Sequence, residues 1–152
     1  QSETRRESGG LDALSSAADV LDQGRALGIF PEGTRSKRTE APFLLPGKTG
    51  VARLAASYPE CVVVPIALIG TRNMMEPQKH KFPRLHKQVT IQSGEGITWY
   101  QWLTDVNGGN QSAESLKLLT EKEEHEIRSE LAAIYRRFTD QLMGSILALG
   151  AP

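Results

Sequence analysis

Residues 29–36, Ile29-Phe30-Pro31-Glu32-Gly33-Thr34-Arg35-Ser36, place a carboxylate, a glycine, a hydroxyl and a guanidinium directly after a short apolar run. Each type has a use at the end of a buried strand, where α/β sheets hold their ligands. Arg35 presents a planar fork of donors suited to two phosphate oxygens. Thr34 adds a hydroxyl, and Gly33 lets the backbone approach a ligand or take a positive φ. Glu32 repels a phosphate, so its use there is to orient Arg35 or a substrate hydroxyl. The plainer alternative is a polar turn in which Glu32 and Arg35 pair with each other. A second cation, Lys48, stands in Pro42-Phe43-Leu44-Leu45-Pro46-Gly47-Lys48-Thr49. That run approaches a nucleotide phosphate loop, but Pro42 occupies the place of the first glycine and charged residues precede it instead of a buried strand. Lys48 is therefore read as a phosphate candidate, with a surface lysine at a helix start as its alternative.

These residues need elements to hold them. Leu11, Leu14, Ala18 and Leu21 recur at helical spacing, predicting a helix over 11–23 that Gly24 stops. Ala26-Leu27-Gly28-Ile29-Phe30, closed by Pro31, reads as a buried strand. Residues 34–46 read as an exposed loop, and Val51, Leu54, Ala55 and Tyr58 as a second helix ending before Pro59. The run Cys61 to Ile69, dense in β-branched residues, predicts a strand buried on both faces, as in a parallel sheet covered by helices. Val89-Thr90-Ile91 offers a third strand, and residues 98–112 have no clear assignment. Thr120 and Glu123 form a capping-box pattern, after which Ile127, Leu131, Ile134, Phe138, Leu142 and Ile146 mark one long amphipathic helix, placed at 115–148. The expected fold is α/β, a mostly parallel central sheet flanked by helices.

Composition limits what such a domain can do. The 152 residues carry 18 Lys+Arg against 18 Asp+Glu, which excludes the overall basic field of a non-specific nucleic-acid binder. Charge is nevertheless segregated: Arg35, Lys37, Arg38, Lys48 and Arg53 face only Glu40, and Arg72, Lys79, Lys81, Arg84 and Lys87 face only Glu76, whereas 105–133 is acidic. An anion is expected at the middle of the chain. The single cysteine, Cys61, forms no internal disulfide and reads as core packing, no Cys/His cluster suggests a metal, and a reducing cytosol is the default. No apolar stretch is long enough to span a bilayer. The terminal helix, the basic segment 72–87 and the Trp99-Tyr100-Trp102 cluster raise the alternative of a non-catalytic module for anionic lipid at a membrane surface.

Phe30-Pro31-Glu32-Gly33-Thr34-Arg35-Ser36, followed by Gly47-Lys48-Thr49-Gly50 entering a helix and by Val64-Pro65-Ile66-Ala67, resembles the ordered signature blocks of the glycerolipid acyltransferase family that includes the bacterial 1-acyl-glycerol-3-phosphate acyltransferases. The resemblance covers roughly residues 5–95. It implies that Glu32, Gly33, Thr34 and Arg35 bind the acceptor phosphate, that Pro65 shapes the site, and that Arg6, with Arg5 as the neighbouring possibility, supplies a further phosphate contact. It implies transfer of an acyl group from a coenzyme A or carrier-protein thioester to 1-acyl-glycerol 3-phosphate, without metal or bound cofactor, at the cytoplasmic membrane surface, in phospholipid synthesis. The family's catalytic block, a histidine with aspartate five positions on, has no counterpart: the residues five after His80, His86 and His125 are Leu85, Ile91 and Glu130. The sequence is accordingly read as one domain fragment, incomplete on its N-terminal side and nearly inactive alone, since loss of a placed general base costs about 10²–10⁴-fold.

Overall fold

The structure, a computed structural model, describes residues 13–76, 79 and 82–152; Arg5, Arg6 and His80 lie outside the described residues. Helix α1 covers 13–22. It ends as the sequence predicts: Gly24 takes φ 66°, its N–H donates to Leu21 O at 2.8 Å, and Arg25 N–H reaches back to Val20 O at 3.2 Å. This is the paired closure that a left-handed glycine allows after a helix. Helix α2, Gly50–Ser57, lies against α1, with Tyr58 Oη donating to Asp22 Oδ1 at 2.7 Å. That hydrogen bond, more than burial, raises the Tyr58 phenol above its ordinary pKa.

Strands β1 (Val62–Val63), β2 (Ile66–Ile69), β3 (Thr90–Ser93) and β4 (Ile97–Thr98) follow, with the short helix α3 (Thr71–Met74) after β2. The expected parallel sheet is corrected here. Among the described residues β1 pairs antiparallel with β4, and β2 antiparallel with β3 in the register Ile66↔Ser93 to Ile69↔Thr90. Helices and strands do interleave along the chain, yet no large parallel sheet forms among the described residues. Two local causes are visible. Pro65 has no N–H and separates β1 from β2. The run 62–67 also alternates, with Val62, Val64 and Ile66 at 58%, 44% and 49% exposure and Pro65 and Ala67 buried. It is half-buried, not covered on both faces. The predicted buried strand 26–30 is likewise not formed: the segment has no ladder partner among the described residues, and Phe30 is 73% exposed.

The unassigned stretch 98–112 is ordered by caps. Thr98 and Gln101 form a capping box on α4 (Trp99–Thr104), and Ser112 and Ser115 do the same for α5 (Ala113–Thr120). The single helix expected at 115–148 is therefore two. Thr120 Oγ1 donates back to Lys117 O at 2.7 Å instead of capping, and the capping box of α6 (Glu124–Ala148) is Glu123 with Glu126.

The core sits where α2, α4 and α6 meet. Ala52 and Ala55, Trp99 and Trp102, and Phe138 are buried together, with Trp102 and Phe138 edge to face at 4.9 Å between ring centroids. Trp102 Nε1 donates to Gln141 Oε1, and Gln141 Nε2 to Asn107 O at 2.7 Å, so the indole N–H is satisfied as it is buried. A second cluster joins Ala67 of β2 to Met143 and Ile146 of α6. Between them α6 presses on buried Gly47, where a Cβ would lie 2.8 Å from Thr139 Cγ2 and 2.9 Å from Met143 Cγ. We expect Gly47→Ala to lower unfolding free energy by about 1–3 kcal/mol, read as a lower urea midpoint at unchanged slope.

Candidate functional site

Pro31–Arg35 forms a corner after the extended segment. Gly33 N–H donates to Phe30 O at 2.9 Å, and Gly33 takes φ 64°, which a side chain rarely adopts. Pro31 O accepts from Lys48 N–H at 2.8 Å, which draws the two predicted phosphate segments together. The Lys48 side chain lies across the corner: a Cβ on Gly33 would be 3.0 Å from its Nζ. A glycine is thus required at position 33 both for its φ and for the space that Lys48 fills.

Glu32 and Arg35 do not pair with each other. Glu32 Oε2 accepts from Leu45 N–H at 2.7 Å in a partly buried position and so ties the 34–46 loop to the corner. Arg35 is exposed, and its Nη2 donates to Met75 O at 3.0 Å, just past α3. Among the described residues neither Arg35 nor Lys48 enters an ion pair. Most of the Arg35 donors and the Lys48 ammonium stay available to an anion, while the Glu32 carboxylate is held by a backbone N–H. Thr34 is exposed beside them. The N-terminus of α2 has neither a side-chain cap nor an acidic first turn, so its amide groups also favour negative charge. Pro65 is buried elsewhere, accepting from Gly94 N–H at 2.9 Å, and shares no hydrogen bond with the corner.

The sequence marks 72–87 as basic but carries no sign of the contact between the α3 turn and the corner. Arg72 lies over the Phe43 ring at 4.0 Å and 3.9 Å from Glu76 Oε1, which Lys79 also meets at 3.0 Å. Arg72 and Arg35 are thereby brought to the same turn from segments far apart in the chain, a pairing with no local signal. His125 is exposed on α6 between Glu124 and Glu126, and His86 is exposed. Neither faces the corner through any hydrogen bond or ion pair. No group of His, Cys, Asp and Glu able to hold a metal ion forms among the described residues.

Two cavities bear on ligand size. A polar one of about 520 Å³ lies between α4 and α5, lined by the same Ser112 and Ser115 that cap α5, away from Arg35. The other, about 300 Å³, is an open apolar slot between the 38–46 loop and α6, lined by Leu44, Leu45, Met143 and Leu147 with Arg38 at its edge. Through the bond from Leu45 N–H to Glu32, the wall of this slot is fixed to the cationic corner.

One comparison with known proteins finds a match. Residues 3–69 match the family model described as Acyltransferase. The matched range contains Arg6, Glu32, Gly33, Thr34, Arg35, Lys48 and Pro65, and it ends with β2. The acyltransferase match supports a general acyltransferase role. No curated protein and no solved structure matches the chain.

Proposed function

We propose that the chain carries the acceptor-phosphate site of a glycerolipid acyltransferase, which moves a fatty acyl group from a coenzyme A or carrier-protein thioester to 1-acyl-glycerol 3-phosphate and yields phosphatidic acid. The observation that carries this reading is the glycine-cornered pair Arg35 and Lys48, without carboxylate partners among the described residues, while Glu32 is bound to Leu45 N–H. Arg35 holds two phosphate oxygens and Lys48 neutralises a third, with Thr34 donating its hydroxyl. The apolar slot behind Leu45 receives part of the acceptor's acyl chain. With the acceptor so fixed, a general base removes the proton of the free glycerol hydroxyl. The oxygen attacks the thioester carbonyl, and the tetrahedral intermediate collapses with loss of the thiol. None of the three histidines has the aspartate five positions on that marks the family's base. Acceptor and product are amphiphiles, so the reaction belongs at the cytoplasmic membrane surface.

The basic segment 72–87, with Phe82 and Leu85 exposed, favours a second reading, a module that binds anionic lipid without catalysis. Acyl transfer by the protein as isolated from its own cells separates the two. The proposed function expects incorporation of acyl groups into 1-acyl-glycerol 3-phosphate, with the phosphate-free monoacylglycerol used at least about 10²-fold less efficiently, because it leaves the cations unsatisfied. Lipid binding without any transfer selects the second reading.

A further inference from the structure

The stem after α3 presents two large apolar side chains to solvent: Phe82 is 81% and Leu85 is 80% exposed. Scattered exposed apolar residues are ordinary, but these flank Arg84 and are accompanied by exposed Lys79 and Lys87, with Glu76 the only acid between residues 72 and 87. Residues 84–87 of this stem are held in place. Arg84 N–H donates to Met74 O at 2.8 Å, Arg84 Nη2 to Asn73 O at 2.9 Å, and Lys87 N–H to Arg84 O at 3.1 Å. The next carbonyl, Met75 O, holds Arg35. Three consecutive carbonyls thus join the stem of this segment to the candidate phosphate corner.

We propose that Phe82 and Leu85 insert into the interfacial region of an anionic bilayer, with Lys79 and Lys87 against its headgroups, and so dock the phosphate corner at the lipid surface. This rests on the proposed function only for the purpose of docking; the contact itself depends on the segment alone. Apolar side chains flanked by cations are what an interfacial contact with acidic lipid requires. A protein partner would need a complementary surface of roughly 800 Å². Two protruding side chains on a turn do not provide that, whereas a bilayer needs no matching shape.

The test is co-sedimentation of the 152-residue chain with vesicles of phosphatidylcholine alone, or of phosphatidylcholine and phosphatidylglycerol in equal parts. Binding is expected to the mixed vesicles, to weaken with salt, and to fall about tenfold or more in the double variant Phe82→Ser, Leu85→Ser. Both positions are exposed, so the variant keeps the fold; Lys79→Gln with Lys87→Gln gives an independent loss. Arg35→Ala is expected to leave vesicle binding intact and to lose binding of soluble glycerol 3-phosphate, so a failed phosphate site and a failed docking surface read out separately. Equal binding by Phe82→Ser, Leu85→Ser and the unaltered chain overturns the proposal. So does equal binding to phosphatidylcholine alone, or capture of an acidic carrier protein without capture of vesicles.

Discussion

In the protein as isolated from its own cells, Arg35→Ala is expected to lower kcat/KM for 1-acyl-glycerol 3-phosphate by about 10²–10⁴-fold, since two charge-assisted hydrogen bonds to phosphate are each worth about 1.5–3 kcal/mol. The fold should not change. The Arg35 side chain is exposed, and its contacts are the Met75 carbonyl and a 4.0 Å approach to Met75 Sδ. The loss should be divided between a raised acceptor KM and a lower kcat, because an acceptor that is poorly held is also poorly aligned with the thioester. KM for the acyl donor should stay unchanged. Arg35→Lys keeps the charge but not the fork, and is expected to recover only part of the activity. Steady-state kinetics of the variants with both substrates varied, beside a thermal melt, gives the comparison. A melt shifted as far as the activity would assign Arg35 to the fold instead.

The largest effect on stability is expected at Phe138. Its ring is 2% exposed and touches both tryptophans, at 5.1 Å from Trp99 and 4.9 Å from Trp102 between centroids. Phe138→Ala removes the α6 ring packed against both tryptophans and should cost about 3–5 kcal/mol from burial and cavity. Domains of this size are stable by only about 5–15 kcal/mol, so the variant should be largely unfolded at moderate urea. Urea unfolding followed by tryptophan fluorescence would show this, because Trp99 and Trp102 lie in the same cluster. A shift below about 1 kcal/mol would mean that α6 is not the third wall of the core.

What could be seen in the sequence was what is decided locally. Gly24 ends α1 because a left-handed glycine closes the last turn whatever lies beyond it. α2 and the apolar stripe of α6 follow from a 3.6-residue period. The corner at Glu32–Arg35 and its second cation Lys48 were visible as residue types, and the backbone bond from Lys48 to Pro31 brings them together. What was misread depends on neighbours. Nine mostly apolar residues at 61–69 look the same whether one face or both are covered, and only pairing with β3 and β4 decides it. The segment 26–30 has strand composition, but a strand exists only beside another. The Thr120–Glu123 pattern satisfies a capping rule at a place where the Thr120 hydroxyl bonds the preceding turn. The link between Arg35 and Met75 spans 40 residues and has no sequence signature.

The most direct test of the account is calorimetric titration of the 152-residue chain with a short-chain 1-acyl-glycerol 3-phosphate, beside the phosphate-free monoacylglycerol and the Arg35→Ala and Lys48→Ala variants. Saturable binding of the phosphate ester alone is expected, weakened by about tenfold or more in each variant. Equal affinity for the two ligands, or binding untouched by Arg35→Ala, would contradict it.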